Sequence, residues 1–364
     1  FFKITIIVIL LDFILTFFFI SRLNFYEIFY PKLDHRIANN IYHHSFKENV
    51  NTYDYWGKFR YRFITNSLGF KDRSNQHIKV NTDLNKRIII NGDSFTEGIG
   101  FEYDDTFVGL LDKHLYKKNI EILNAGVASQ SPILYLKKIK YLIEVQKIKF
   151  DELIIFLDIS DIPDEYYYNR NFDNDIKMNS FRDISQEFLL KYFSSYLFFD
   201  IIFSKLDILK ENLFVRLKAS KEFNISFSDI TEEQINLYES INVERGNWTH
   251  DEYYWSLYGI QGRKLAEKNL EKLYNLCNKH NIKFTLIIYP WPSQIYFDHQ
   301  SIRHQIHWKK WADQRNIKFI DLFDYFDNTK PKEIIKKYFI PGDAHWNKDG
   351  HQFIYNIIKK EYFD

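Results

Sequence analysis

The chain has one cysteine, Cys277, and its 49 Lys and Arg almost cancel its 48 Asp and Glu. A single cysteine excludes an intrachain disulfide and leaves the redox compartment unread. A net charge of +1 excludes a polyanion partner held by bulk electrostatics, and no basic stripe gathers for nucleic acid. Internal repeats and low-complexity linkers are absent. Alanine is scarce while Phe (35) and Tyr (26) abound alongside Ile, Lys and Asn. That joint bias fits skewed base composition better than a set of sugar-stacking platforms. Cys277 follows the helical-looking stretch Leu270–Leu276 and reads as a core residue, because neither a turn nor a base adjoins it as a reactive thiol requires.

Metal and acid-pair signatures are also missing. His299, His304 and His307 have helical spacing, but no companion carboxylate motif accompanies them, so no metal and no cofactor are expected. His43 and His44 read as solvated connector residues. Asp161 and the pair Asp164 and Glu165 are neighbours on one loop, which does not make the facing carboxylates of glycoside hydrolysis.

What is present begins with short apolar runs. Segments 87–91, 120–124, 152–158, 283–289 and 317–322 have the composition of buried strands, and helical patterns at 106–118, 133–147, 259–280 and 301–316 alternate with them. The alternation predicts an α/β fold: a doubly wound, flavodoxin-like parallel sheet of five strands flanked by helices, in a catalytic domain over 81–364. A stretch from 163 to 281 is far longer than an ordinary connection and predicts a helical insertion.

Gly92-Asp93-Ser94-Phe95 follows the first run directly, so Ser94 falls where a buried strand ends. Near the C-terminus, Pro341-Gly342-Asp343-Ala344-His345 places a carboxylate two residues before a histidine. A serine hydroxyl needs a base to take its proton, and the base needs a carboxylate to fix its tautomer; Ser94, His345 and Asp343 supply these types. The third run, Leu153–Leu157, ends at Asp158-Ile159-Ser160-Asp161, and the second ends at Asn124-Ala125-Gly126. Ligands of doubly wound sheets bind at such carboxyl ends.

In this order the blocks resemble the SGNH (GDSL-type) hydrolase superfamily over roughly residues 60–360. The resemblance implies Ser94 as nucleophile, His345 and Asp343 as its partners, and an oxyanion hole from Ser94, Gly126 and Ser160. Ser160 stands where the family has asparagine, and loss of such a donor costs about 2.7–4 kcal/mol of transition-state stabilisation unless its hydroxyl substitutes. The Asp-x-His spacing is similar to that of relatives that acetylate exopolysaccharides, such as alginate acetyltransferases, and implies a cell-surface glycan. Asn66-Ser67-Leu68-Gly69-Phe70 and Tyr289-Pro290-Trp291-Pro292 resemble a membrane-linked branch. Asp161, Trp248 and Trp291 are expected to touch substrate.

Residues Ile4–Ile20 are nearly all apolar apart from Asp12 and Thr16, which predicts a transmembrane anchor over 1–21 followed by a connector and extension over 22–80. A cleaved signal is disfavoured because no small-x-small site follows. Arg22, Lys32 and Arg36 after the run, against Lys3 before it, favour a cytoplasmic domain by charge counting. The family resemblance implies the opposite, a domain facing the periplasm or exterior.

The expected activity is a serine esterase acting on acyl, chiefly acetyl, esters of a glycan. An O-acetyltransferase would use the same triad with a sugar hydroxyl as acceptor, supplied by a membrane acetyl-donor protein. A non-catalytic glycan-binding or assembly module is the third possibility.

Overall fold

The computed structural model describes residues 2–20, 35–297, 302–326 and 329–363. The chain divides into two compact units: 35–172 with 232–364, and 1–34 with 173–231.

The larger unit is built on a five-stranded parallel sheet. Its strands are β5 (Lys86–Asn91), β6 (Ile120–Asn124), β7 (Glu152–Leu157), β8 (Lys283–Ile288) and β9 (Lys318–Asp321), in the spatial order β6-β5-β7-β8-β9. Every residue of β7 is buried, as befits a strand covered on both faces, and this is why it reads as a continuous apolar run rather than an alternating one. Helices Phe107–Tyr116, Pro132–Glu144, Ile260–Lys279 and Ile302–Asp313 make the crossovers. The five strands and four helices expected from the sequence all form, with ends shifted by a few residues. Cys277 is buried in the third of these helices.

Residues 35–80, within the expected connector and extension, include two antiparallel pairs. β1 (Arg36–Asn39) pairs with β2 (His43–Phe46), and β3 (Asn51–Trp56) with β4 (Phe59–Ile64). The second pair turns at Gly57, whose φ of 54° favours a residue without a Cβ. Phe46, Tyr61 and Phe63 pack with Val127, on the loop after β6, and Trp56 covers them. This apolar cluster is what ties the hairpins to the carboxyl edge of the sheet.

Buried charges fasten the same edge. Arg36 bonds Glu97 at 2.5 Å and Asp54 at 2.6 Å, while Glu97 also accepts the Ala128 amide at 2.8 Å. Lys71 donates to the carbonyls of Gly98 (2.7 Å) and Phe101 (2.6 Å), and burial lowers its pKa to about 8. Lys138 donates to the Ala125 carbonyl at 2.5 Å, and burial lowers it to about 7. All these contacts hold the loops after β5 and β6.

In the smaller unit the N-terminal α-helix runs over Phe2–Leu15 and passes into a π turn, Thr16–Ile20. The expected transmembrane helix is corrected here. Among the described residues no helix is long and apolar enough to cross a membrane. The two polar residues inside the run have partners in the fold. The Asp12 carboxylate accepts Ser194 Oγ at 2.7 Å, and Thr16 Oγ1 accepts the Ser194 amide at 2.8 Å, which ties the helix to Ser194–Glu222. Arg22 and Lys32 lie outside the described residues.

Candidate active site

β5 delivers the chain to Gly92 and Asp93, and the Asp93 side chain caps the short helix Ser94–Glu97 by accepting the Phe95 amide at 3.1 Å. Ser94 is thereby the first residue of a helix, and its own amide has no intrahelical acceptor. Gly92 is required by crowding: a Cβ there would lie 2.2 Å from Thr96 Oγ1 and 2.8 Å from the Phe156 carbonyl oxygen.

His345 and Asp343 arrive on a closed loop near the C-terminus. The Ile340 amide donates to the His345 carbonyl at 2.9 Å, and Gly342 takes φ 75°. His345 Nε2 lies 2.8 Å from Ser94 Oγ, and His345 Nδ1 lies 2.5 Å from Asp343 Oδ1. An ionised carboxylate only accepts, so Nδ1 carries the proton and Nε2 is left to accept from the hydroxyl. The two-residue spacing adds a further tie, because Asp343 Oδ1 also accepts the His345 amide at 3.0 Å. Burial acts to raise the Asp343 pKa, but the hydrogen bonds and charge of His345 and the bond from Trp56 outweigh it and the net shift is downward. The ring of Phe95 sits 4.7 Å from the His345 ring and limits its tilt.

The expected oxyanion donors are differently placed. Gly126 packs against the Ser94–Glu97 helix so closely that a Cβ would lie 2.5 Å from the Glu97 nitrogen, yet its amide donates to Asn124 Oδ1 at 3.0 Å. Asn124 is itself held by the Thr96 carbonyl at 2.9 Å. Ser160 is buried, with its amide on Asp158 Oδ1 at 2.6 Å and its hydroxyl 3.5 Å from Asp93 Oδ2. Of the three, the Ser94 amide is the one without a donor role inside its own helix.

Asp161, Trp248 and Trp291, expected to touch substrate, are all buried and bonded within the protein. Asp161 accepts Tyr135 OH at 2.9 Å and the Asp158 amide at 3.1 Å. Trp248 donates to the Ile159 carbonyl at 2.9 Å and stacks on Trp255. Trp291 donates to Asp158 Oδ2 at 3.1 Å. Aromatic area that fills the core is not available to a sugar ring. Asp164 pairs with Arg245 and Glu165 accepts from Ser131, the Ile133 amide and Asn269, so each acid has its own partners.

The histidines need one correction. His44 is not solvated: Nε2 lies 2.8 Å from the Ala128 carbonyl oxygen, and burial lowers its pKa to about 4. His304 is buried and His307 lies 3.2 Å from Glu267, while His299 falls outside the described residues. Among the described residues no group of three or more His, Cys, Asp or Glu is placed to hold a metal ion.

Two contributors escaped the sequence. Trp56, from the hairpin, donates through Nε1 to Asp343 Oδ2 at 2.6 Å and lies edge-on to His345 at 5.1 Å. Behind Ser94, Tyr289 joins two carboxylates, lying 2.6 Å from Asp158 Oδ2 and 3.2 Å from Asp93 Oδ1. Tyr289 stands in a segment already singled out, but nothing adjacent to Trp56 in sequence marks it.

No protein-family model matches the chain, and no curated protein matches it. Solved structures do resemble it. An α/β hydrolase enzyme from the metagenome of Lake Arreo, Spain, is 14% identical, with 77% of this chain and 95% of that chain covered at a TM-score of 0.39. An acetyl xylan esterase is 16% identical over 76% and 100%, with a TM-score of 0.40. A GDSL-like lipase from Bacteroides thetaiotaomicron is 12% identical over 78% and 90%, with a TM-score of 0.37. Likenesses of this order leave the chemistry to be argued from the chain's own residues. Those residues bring Ser94, His345 and Asp343 into one line of hydrogen bonds at the carboxyl edge of the sheet.

Proposed function

We propose that the protein is a serine esterase of the SGNH type that cleaves acyl esters through Ser94, His345 and Asp343. The observation that carries this is the continuous chain from Ser94 Oγ to His345 Nε2 (2.8 Å) and from His345 Nδ1 to Asp343 Oδ1 (2.5 Å). His345 takes the hydroxyl proton as Oγ attacks the ester carbonyl, and Asp343 stabilises the imidazolium that results. Collapse breaks the bond to the alcohol, which leaves with the proton from His345. Water, deprotonated by the same imidazole, then attacks the acyl-enzyme; the acid is released and the proton returns to Ser94.

As the oxyanion forms, the Ser94 amide is the ready donor, and Gly126 joins only by exchanging Asn124 for substrate. We assign an acetyl ester of a glycan as the substrate, on the strength of the Asp-x-His spacing. Transfer of the acetyl group to a sugar hydroxyl is the variant of this scheme in which the acceptor replaces water. A purely glycan-binding role has less support, because Trp248 and Trp291, the aromatics it would use, are buried.

The test is labelling of the full chain with a fluorophosphonate, the modified peptide located by mass spectrometry, beside Ser94→Ala and His345→Ala. Label on Ser94 that disappears in both variants supports the assignment. Absence of label on folded protein overturns it. With acetylated oligosaccharides, free acetate marks a hydrolase, and acetyl appearing on a second sugar marks a transferase.

A further inference from the structure

The Ser94 hydroxyl has one proton and two neighbours, His345 Nε2 at 2.8 Å and Asp93 Oδ2 at 3.1 Å. Catalysis sends that proton to His345. Asp93 Oδ2 and Ser94 Oγ would then face each other with lone pairs alone, a repulsive contact in a buried place, unless a proton lies between them.

The donors around the two acids behind Ser94 are unequal. Asp158 receives three: Tyr289 OH at 2.6 Å, Trp291 Nε1 at 3.1 Å and the Ser160 amide at 2.6 Å. Asp93 receives the Phe95 amide at 3.1 Å and, on Oδ2 beside Ser94, only a long 3.5 Å contact from the Ser160 hydroxyl, while Tyr289, 3.2 Å away, has its single proton committed to the nearer Asp158. Two carboxylates bridged by one phenol in a buried site do not both ionise, and the one with more donors keeps the charge. Asp158 is that one.

We propose that Asp93 carries a proton on Oδ2 and donates it as a hydrogen bond to Ser94 Oγ, making it a second, neutral partner of the nucleophile. The inference rests on the esterase assignment for Ser94. The proton stays on Asp93 throughout. It directs the serine hydroxyl toward His345, steadies the oxygen as its own proton departs, and does so again when Oγ leaves the acyl group. In agreement, burial and the charge of Asp158 push the Asp93 carboxyl well above the usual range. The groups that set its charge state are Asp158, Asp161, Tyr289, Tyr135, Arg245 and, across Ser94, His345.

The experiment compares Asp93→Asn with Asp93→Ala by fluorophosphonate labelling rate and by kcat and KM on p-nitrophenyl acetate. Asparagine cannot ionise, but it offers an oxygen to the Phe95 amide and an N–H to Ser94. The proposal expects Asn to keep kcat within about threefold and Ala to lose about tenfold to a hundredfold, KM changing little in either. An Asn variant as slow as Ala, or one that fails to fold, overturns it, since a neutral donor of the same shape would not then replace the native state. An Ala variant as fast as wild type also overturns it. Failure of the esterase assignment looks different: wild-type protein would not label at Ser94 at all.

Discussion

The indole Nε1 of Trp56 donates a 2.6 Å hydrogen bond to Asp343, 287 residues further along the chain. A hairpin that precedes the whole sheet therefore braces the carboxylate that orients the histidine. Trp56→Phe keeps an aromatic ring near His345 but removes the Nε1–H together with the smaller ring of the indole. A hydrogen bond to a charged group contributes about 1.5–3 kcal/mol, so kcat is expected to fall about tenfold with KM nearly unchanged. Steady-state kinetics on a small acetyl ester would decide it, and an unchanged kcat would remove Trp56 from the machinery.

Ser160 gives a test in which a small loss is expected. Its hydroxyl faces Asp93 and its amide Asp158, so it belongs to the support behind Ser94. Ser160→Ala is expected to slow turnover by less than about tenfold, whereas loss of a true oxyanion donor costs about a hundredfold to a thousandfold. A loss of the larger size would return Ser160 to the hole.

Glu97 joins Arg36 to the Ala128 amide inside the protein. Glu97→Gln removes one of the two carboxylates on the half-buried Arg36 guanidinium; Asp54 remains at 2.6 Å, so the cost should stay below the ~3–5 kcal/mol of a buried pair broken outright. The urea midpoint should drop accordingly. The double variant Glu97→Gln with Arg36→Met should be less stable than Glu97→Gln alone, because the buried Asp54 then loses its guanidinium partner.

His351 and His304 are buried, and burial holds both neutral down to a pKa of about 3 from an ordinary 6.5. Below pH 6.5 the unfolded chain takes up protons that the folded chain refuses, so stability is full above about 6.5 and is lost progressively as pH falls toward about 3. Urea midpoints measured from pH 7.5 to 4.5 should decline. The decline should be shallower in His351→Gln, which keeps an acceptor near the Phe107 amide that now donates to His351 Nδ1 at 3.3 Å. Parallel curves would show that His351 does not drive the loss.

Much of this was legible in the sequence because burial on both faces leaves a plain trace. Leu153–Leu157 is apolar throughout since no residue of β7 meets water. Ser94, Asp343 and His345 were legible because each sits in a short block at a strand or loop end. Trp56 was not, since an indole N–H that reaches its acceptor through the fold has no local pattern. Trp248 and Trp291 were misjudged for a related reason: composition gives an aromatic's area, but only packing says which side of the surface it occupies. In the N-terminal run Asp12 and Thr16 look like blemishes in a span, and in the fold both bond Ser194.

His345 and Asp343 stand two residues apart, while Ser94, which they meet in the fold, lies 251 residues earlier than His345. During synthesis the chain therefore displays its serine long before it owns any means of activating it. A product cut short between Asp321, where β9 ends, and Asp343 would carry all five strands without the histidine and carboxylate. Reactivity at Ser94 is accordingly a gauge of whether the chain has been made as far as His345.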